Sequence, residues 1–187
     1  MTERFDGLGY EDTLPLDFER VAALPDGVTL AGLNAENHQV LVADASLDDQ
    51  RPQVESKGDD TQALAEDLQR IEFKVNVLIQ LVSRLMKQAG RMPPAKNVRL
   101  YATGIEWMLE GDEVLPGCGI VSLHVSRHFP EPLRLPGRIL GTHSDAEGHW
   151  LRFAFEGLAP SVVELLERLV FRHHRRLVAG ARSTPRS

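Results

Sequence analysis

Cysteine is almost absent from this chain of 187 residues, in which Cys118 is the single thiol. One cysteine cannot form an internal disulfide, so we expect a protein of a reducing compartment and cytoplasmic residence. No apolar run approaches the roughly 18 residues that a membrane span needs. Residues 1–10 carry Glu3, Arg4 and Asp6 and lack the apolar stretch of a secretory signal. The sequence therefore predicts neither membrane insertion nor secretion.

Recognisable catalytic motifs are also missing. The sequence contains no phosphate-cradling GxxxxGK[ST] or GxGxxG loop and no nucleophile elbow. His143, Asp145 and His149 flank a glycine-containing turn, and this arrangement predicts a polar hairpin better than it predicts a metal site. Cys118 has no basic neighbour in the sequence that would lower its pKa. We therefore expect no enzyme activity, no metal and no catalytic residues; an enzyme that uses the His143 and His149 region is the weakest alternative.

Acidic residues exceed basic ones, 27 to 21, which gives a net charge of −6. The excess is uneven, because residues 1–60 carry 14 acids and 4 bases whereas residues 168–187 carry six arginines and no acid. An acidic chain with one basic end disfavours nucleic acid as the main partner. The basic end is interpreted as a solvated helix end and tail, with an exposed stripe formed by Arg168, Arg172, Arg175 and Arg176.

The first 60 residues predict a strand, a helix and a linker. Residues 14–20 form a short strand candidate that ends at a turn around Pro25 and Gly27. Residues 29–47 then predict an amphipathic helix, because its inward positions recur at steps of three and four. These positions are Leu30, Leu33, Asn37, Val40, Leu41 and Ala45. Residues 48–60 are mostly polar and contain Pro52 and Gly58, so they predict a solvated linker.

A heptad repeat in residues 61–89 gives the strongest periodic signal in the chain. Its apolar positions alternate in steps of four and three, and we call them the seam: Leu64, Leu68, Ile71, Val75, Leu78, Val82 and Leu85. The predicted helix is about 45 Å long, too long to lie across a small domain without projecting. Ile79, Leu81 and Met86 widen its apolar arc. This width favours more than two helices around the seam, or cover from another helix such as 29–47.

Self-association is the partner prediction that follows from the heptads. A homotetramer is the first choice and a dimer the second, because the residue types along the seam favour different orders in different heptads. A buried helix in an ordinary monomeric core is the remaining alternative. Parallel and antiparallel arrangements of the coil both stay open.

From residue 98 the apolar period becomes two, which predicts strands at 98–102, 104–109, 119–127, 133–142 and 149–156. With residues 14–20 as a possible sixth strand, this pattern indicates a small antiparallel barrel. Pro160 then opens a helix whose apolar face would close one mouth of that barrel. The apolar face consists of Val162, Val163, Leu166, Leu169, Val170, His173 and Leu177.

Two successive segments of the chain carry a family resemblance: RLYATGIEWMLEGDEVLPGCGIVSLHVSRHFPEPLRLPGRIL and HWLRFAFEGLAPSVVELLERLVFRHHRR. Together they resemble the second part of a PilZ domain, the bacterial cyclic di-GMP receptor module. The likeness covers about 80 residues and rests on pattern more than on invariant letters. It implies an α+β fold, a small antiparallel PilZ-type barrel with a C-terminal helix. Two helices interrupt the barrel, and the second is a long heptad-repeat coiled coil.

The resemblance also implies a ligand site, from which the sequence departs. Nucleotide-binding members carry an RxxxR arm and a [D/N]xSxxG turn. Alignment on Gly104 places Arg99 at the Asp/Asn position and Tyr101 at the Ser position. The RxxxR spacing does occur at Arg168, Arg172 and Arg176, but on the C-terminal helix. The degenerate motif Arg99, Tyr101 and Gly104 therefore predicts weak or no binding of cyclic di-GMP, with no other cofactor. The alternative is a genuine receptor that uses non-standard residues such as Arg99 and Arg4.

The helical insertion resembles that of the atypical PilZ proteins of xanthomonads, in which helices interrupt the domain and assemble a tetramer. We therefore divide the chain into a first barrel part at 1–28, a helical insertion at 29–97 and the rest of the barrel with its helix at 98–187. The resemblance implies a non-enzymatic signalling protein in cyclic di-GMP-linked control of motility or virulence. It would act through an unidentified protein partner, with Arg99, Tyr101, Trp107 and the arginine stripe as candidate contacts. Trp107 is also predicted to be core, because it alternates with Glu106.

Overall fold

The computed structural model describes Phe5 and residues 7–49, 92–109, 111, 116–126 and 131–182, together with several isolated positions between 68 and 85. Side chains at 47–49 and 177–182 are not described. Residues 50–60 of the linker predicted at 48–60 and most of the predicted coiled coil at 61–89 lie outside these residues, whereas residues 48 and 49 are helical and not linker. So do Arg4 of the alternative ligand site and Leu64 of the seam.

Six antiparallel strands form a closed barrel in the order β1-β2-β3-β6-β5-β4. They are β1 (Gly9–Val21), β2 (Ala95–Tyr101), β3 (Gly104–Met108), β4 (Cys118–Leu123), β5 (Leu133–Ser144) and β6 (His149–Phe155). The period-two pattern therefore predicted all five downstream strands, and residues 14–20 do belong to a sixth. The barrel, its C-terminal helix and the α+β class are confirmed.

β1 is longer than the sequence indicated, since it spans 13 residues. Its first half, Gly9–Pro15, pairs with β2, and its second half, from Leu16 to Val21, pairs with β4. Pro15 lies where the partner changes, so its missing N–H interrupts the ladder least there. Its carbonyl still accepts a hydrogen bond from the His124 N–H at 3.0 Å. One strand thus joins the two edges of the sheet and closes the barrel.

The barrel encloses one hydrophobic core, into which alternate side chains of each strand point. The helix α2 (Pro160–Arg182) covers it with Val162, Leu166, Leu169 and Val170 of the apolar face that the sequence predicted. The most completely buried residues of strands and helix are Leu16, Leu100, Ile105, Leu123, Leu133, Leu135, Phe153, Leu166 and Leu169. None of the helices in the described part of the chain is long and apolar enough to span a membrane.

The helix α1 (Gly27–Asp49) is two residues longer at each end than predicted. Asp26 caps it by accepting a hydrogen bond from the Thr29 N–H at 2.9 Å, and this bond lowers the pKa of the carboxyl. Leu33, Val40 and Leu41 are buried as expected, and the last two belong to the same core as the strands. α1 is therefore packed on the barrel.

Two asparagines fix the position of α1 by bonding to backbone groups of the barrel. Asn37, which is buried, donates to the Arg134 carbonyl at 2.8 Å and accepts from the Arg134 N–H at 2.7 Å. Asn34 likewise donates to the Gly157 carbonyl and accepts from the Ala159 N–H. Because each amide satisfies a donor and an acceptor, these contacts set both the height and the rotation of α1. The predicted boundaries at 28, 29 and 97 stay predictions.

The described positions between 68 and 85 are helical, and their large apolar side chains are exposed in the single chain. They include the seam residues Leu68, Ile71, Val75, Leu78, Val82 and Leu85. A row of large exposed apolar side chains is typical of a packing surface. The alternative of a buried helix in a monomeric core is wrong for these residues, since they do not reach the barrel core.

Candidate functional site

A row of alternating charges crosses the outer surface of the barrel. Glu11 of β1 lies opposite Arg99 of β2, Arg99 opposite Glu106 of β3, and Glu106 opposite Arg152 of β6. Directly paired residues of neighbouring strands point to the same face of a sheet. The four side chains therefore form one continuous ladder of the charges −, +, −, + on the face that carries the degenerate motif residue Arg99.

Arg99 is the centre of this ladder. Its Nε lies 2.8 Å from Glu11 Oε1, its Nη1 lies 2.6 Å from Asp145 Oδ2, and its Nη2 lies 2.5 Å from Glu147 Oε2. The guanidinium carbon sits 3.9 Å from the centre of the Trp150 ring, in a cation–π contact. Every nitrogen of the guanidinium thus has a carboxylate partner. We call Glu11, Asp145, Glu147 and Trp150 the Arg99 cage.

The cage perturbs both the cation and its main partner. Burial would lower the pKa of the Arg99 guanidinium, but the hydrogen bonds of Asp145, Glu147 and Glu11 together raise it. The Arg99 bond lowers the pKa of the Asp145 carboxyl well below its ordinary range, and the Glu147 N–H adds to that effect. Arg99 therefore stays a cation and Asp145 an anion at every physiological pH.

The turn between β5 and β6 brings Asp145 and Glu147 over Arg99. Asp145 Oδ1 accepts hydrogen bonds from the Glu147 and Gly148 N–H groups and from Trp150 Nε1 at 2.9, 3.2 and 3.0 Å. Gly148 has a φ of 153°, and glycine reaches this region without steric cost. One carboxylate consequently organises the turn with one oxygen and binds Arg99 with the other.

The far end of the ladder is a buried ion pair. Glu106 Oε1 accepts from Arg152 Nε at 2.9 Å, and both side chains are almost fully buried. The second oxygen of Glu106 lies 3.8 Å from Arg99 Nη1, which links the pair to the cage. Ile105 and Trp107 point into the core on either side of Glu106. The prediction that Trp107 is core is confirmed, so its use as an exposed partner contact is wrong.

Tyr101 and Gly104, the other two motif residues, lie under Phe5 of the N-terminal arm. The Phe5 and Tyr101 rings are 5.1 Å apart between centroids. A Cβ atom added at Gly104 would lie 2.3 Å from the Phe5 ring, so the ring occupies the space that the missing side chain leaves. Arg99, Tyr101 and Gly104 are therefore brought to one surface, as the resemblance implied, but Arg99 and Gly104 are both covered.

Other predicted sites are only partly brought together. On α2, Arg168 pairs with Glu164 at 2.6 Å, whereas Arg172 pairs with Asp44 of α1 at 2.9 Å. The stripe is therefore not uniformly solvated, because one of its arginines joins the two helices.

The predicted polar hairpin and Cys118 both lie in the described part of the chain. His149 Nδ1 bonds Ser144 at 2.8 Å, as in the predicted polar hairpin, and no group of three possible metal ligands occurs among the described residues. Cys118 does have a basic neighbour, because Arg138 lies directly opposite it on β5. Adjacent residues in the sequence did not reveal Arg138 as a neighbour of Cys118, because cross-strand pairing brings together positions that are 20 residues apart.

The acids of the cage were also missed by the sequence analysis. Glu11, Asp145 and Glu147 lie far from Arg99 along the chain, and only the register of β1, β2 and the β5–β6 turn assembles them. Arg99 was expected to be exposed, but its side chain retains only 11% exposure. The expectation of Arg99 as a free partner contact is therefore wrong.

Comparison with protein families places most of the chain in one of them. Residues 41–183 match a family model described as an atypical PilZ domain, cyclic di-GMP receptor. The chain belongs to the atypical PilZ family. Within this PilZ barrel, Arg99, Tyr101 and Gly104 are the residues that the resemblance above aligns with the nucleotide-binding motif.

A solved structure gives a fuller match. A pathogenic protein of Xanthomonas campestris, described as a tetrameric PilZ domain self-assembled via an unusual helical bundle, is 27% identical with a TM-score of 0.69. The match covers 93% of this chain and 91% of that one. The cyclic di-GMP-bound PilZ domain of YcgR from Escherichia coli is 16% identical, with a TM-score of 0.36 over 48% of this chain and 80% of that one. No curated protein sequence matches this PilZ chain.

Proposed function

We propose that this protein is a non-enzymatic PilZ signalling and interaction protein with weak or no direct binding of cyclic di-GMP. It would form homotetramers through the seam and present several copies of one barrel surface to a protein partner in the cytoplasm. The process regulated would be motility or virulence, in a pathway linked to cyclic di-GMP. Repeated presentation of one surface converts weak single contacts into avid binding.

The observation that carries this proposal is the enclosure of Arg99 by three carboxylates. A guanidinium binds phosphate through its N–H donors, and in this protein Glu11, Asp145 and Glu147 already accept from all three nitrogens. A nucleotide phosphate would have to compete with these carboxylates for the cation and would be repelled by their negative charge. Arg99 is therefore a poor anchor for a cyclic dinucleotide.

The electrostatics of the surrounding surface act in the same direction. The ladder and cage together hold four carboxylates, Glu11, Glu106, Asp145 and Glu147, against two guanidiniums, a net charge of −2. A groove of about 540 Å³ beside them is lined by Glu11, Asp12 and Glu147 among others. An anionic dinucleotide would approach a surface of its own sign, which disfavours binding.

The seam supports the tetramer. Its described residues form an unpartnered apolar row on a helix, and burial of such a row is the dominant driving force for association. The Xanthomonas campestris relative is a tetramer built by a helical bundle. A tetramer also has room for apolar residues beside the seam, such as Leu81, that a two-stranded coil would leave in water. The dimer remains the second choice.

The competing function is a genuine cyclic di-GMP receptor that binds through non-standard residues. The description of the matched family as a cyclic di-GMP receptor favours it. Such a receptor would have to release Arg99 from its cage and move Phe5 away from Gly104 before the motif surface could take a base or a phosphate.

Calorimetric titration of the purified full chain with cyclic di-GMP, combined with its mass by light scattering, tests the proposal. We expect a tetramer mass and no binding at about 100 μM nucleotide, a limit of roughly −5.5 kcal/mol in binding free energy. Binding in the low micromolar range would establish the receptor instead, and a monomer mass would remove the avidity mechanism.

A double variant tests whether the Arg99 cage is the cause of weak cyclic di-GMP binding. The double substitution Asp145→Ala and Glu147→Ala removes two carboxylates from Arg99, and we expect it to increase affinity for the nucleotide by about tenfold, since one charge-assisted hydrogen bond becomes available. Glu164→Ala on α2 is the matched control, because it frees an arginine far from the motif surface. Equal behaviour of the two variants would show that the cage does not limit binding.

A further inference from the structure

A second apolar stripe lies on the helical residues between 68 and 85 and runs from the outer side of the helix to the flank of the seam. With Leu68, Val75 and Val82 at heptad position a, Phe73 falls at f, Val77 at c and Leu81 at g. Phe73 retains 69% exposure, and Val77 and Leu81 are exposed as well. Their spacing of four residues places them in one row, and we call Phe73, Val77 and Leu81 the second stripe.

A bundle around the seam can cover only Leu81 of the second stripe. In helices packed around one axis, positions a and d face the axis and positions e and g flank it, whereas c and f face outward. Phe73 and Val77 would therefore stay in water in a dimer and also in a simple four-helix bundle. An exposed phenylalanine in a row with two aliphatic residues indicates a further packing surface.

The outer face of α1 has the complementary character. The residues on the side of α1 opposite the core are Val28, Ala31, Gly32, Ala35, Gln39, Val42 and Ser46, and all are exposed. None is charged, although the solvent side of a surface helix ordinarily carries charges. Val28 retains 85% exposure, so the chain's own helices do not cover this face. The row from Val28 to Val42 is about 21 Å long, enough to receive the second stripe of about 12 Å.

Size and charge both match across these two faces. Ala31, Gly32 and Ala35 leave a shallow surface, against which large side chains such as Phe73 pack at short interhelical distance. Glu36 lies exposed at the border of the α1 face, and Lys74 lies exposed next to Phe73. The asparagine bonds of α1 hold its inner face on the barrel, so the outer face is the one that remains for a partner.

From these observations we infer that the second stripe of one protomer docks on the outer face of α1 of another copy. This inference rests on the proposed self-association and adds to the seam a second interface, which joins a helix of one copy to the barrel-bound helix of another. Each protomer would then present its barrel in a fixed orientation, because α1 is bonded to that barrel.

Site-directed cross-linking in the full chain tests the inference. In a Cys118→Ser background, a chain with Phe73→Cys is co-expressed with a chain of different tag length that carries Ala35→Cys, and the complex is mildly oxidised. A disulfide requires Cβ atoms about 3.5–4.5 Å apart, so it reports direct packing. We expect a disulfide between the two different chains, formed about tenfold faster than when Ala35→Cys is replaced by Glu167→Cys on the exposed side of α2.

Each other outcome has one meaning. A disulfide between two Phe73→Cys chains would show that second stripes pair with each other and would overturn the inference. Absence of any cross-link in an assembly of unchanged mass would also overturn it, in favour of a different protein on this surface. A monomeric mass of the unmodified chain would instead refute the proposed self-association itself, so the two failures are distinguishable.

Discussion

Arg99 of β2 and Asp145 of the β5–β6 turn are joined by a bond of 2.6 Å, although 46 positions separate them in the chain. The bond joins the turn of the β5–β6 hairpin to β2, which is two positions from β6 in the order of strands around the barrel. It also gives the Arg99 guanidinium a carboxylate partner from within the folded chain. The residue that stands in the place of a ligand-binding side chain has thereby become part of the framework of the barrel.

Replacement of Arg99 is expected to destabilise the protein. Arg99→Ala leaves Glu11, Glu106, Asp145 and Glu147 close together without their shared cation, and we expect the free energy of unfolding to fall by about 2–3 kcal/mol. Denaturant unfolding at neutral pH measures it. Arg138→Ala is the matched control, because Arg138 pairs with a single carboxylate, Glu156, in an exposed position. A loss as large for Arg138→Ala as for Arg99→Ala would contradict the special role of the cage.

Low pH should remove the contribution of the Asp145 carboxylate to the free energy of unfolding. Its pKa is lowered in the folded protein below the ordinary 3.8, mainly by the bond to Arg99. A lowered folded pKa stabilises the fold above the ordinary value, and this contribution disappears as the pH falls through the folded value. The difference in unfolding free energy between the unmodified chain and Asp145→Asn should therefore be largest near neutral pH and should shrink below about pH 4.

A double-mutant cycle checks the cause of this pH dependence. In an Arg99→Ala background the pKa of Asp145 loses the largest influence that lowers it, so the same Asp145→Asn comparison should vary much less with pH. A difference that is independent of pH in the unmodified background would be inconsistent with the bond between Asp145 and Arg99.

The same substitution at two glycines should have opposite effects. A Cβ at Gly137 would lie 2.0 Å from the Ala154 carbonyl oxygen, a backbone atom that cannot move aside alone. Gly137→Ala should therefore cost about 3 kcal/mol of stability. Gly32 lies in α1 with open space around its Cβ position, so Gly32→Ala should stabilise by about 0.5–1 kcal/mol. Unfolding at equal protein concentration compares them. A Gly137→Ala variant as stable as the unmodified chain would argue against the close packing of β5 on β6, and destabilisation by Gly32→Ala would argue against the open space at that position.

Charges in the seam should dissociate the assembly. The double substitution Ile71→Asp and Leu78→Asp places two carboxylates where the seam would be buried, and we expect the mass in light scattering to fall to that of a monomer. Phe171→Asp with Leu140→Asp is the control, because these side chains are 54% and 58% exposed, close to the 56% of Ile71 and 62% of Leu78. An unchanged mass for the seam variant would refute the coiled-coil interface.

Local pattern was sufficient for the elements and for much of the core. The period-two segments became strands within a few residues of their predicted limits, and Trp107 and Leu166 were buried as expected. The start of β1 was missed, because residues 9–13 gain their strand structure from pairing with β2 and show no clear alternation of their own. At residues 9–13, long-range pairing with β2 therefore decided the structure, because the local strand pattern is weak.

The sequence by itself determined the six strands, the two packed helices, the heptad seam and the loss of the usual ligand-binding letters at Arg99 and Tyr101. Periodicity and residue type are local properties, and they can be read along the chain. Only the tertiary structure decided what surrounds these residues. The cage of Arg99, the cover of Gly104 by Phe5 and the neighbour of Cys118 all depend on strand register, which brings together residues that the linear sequence keeps far apart.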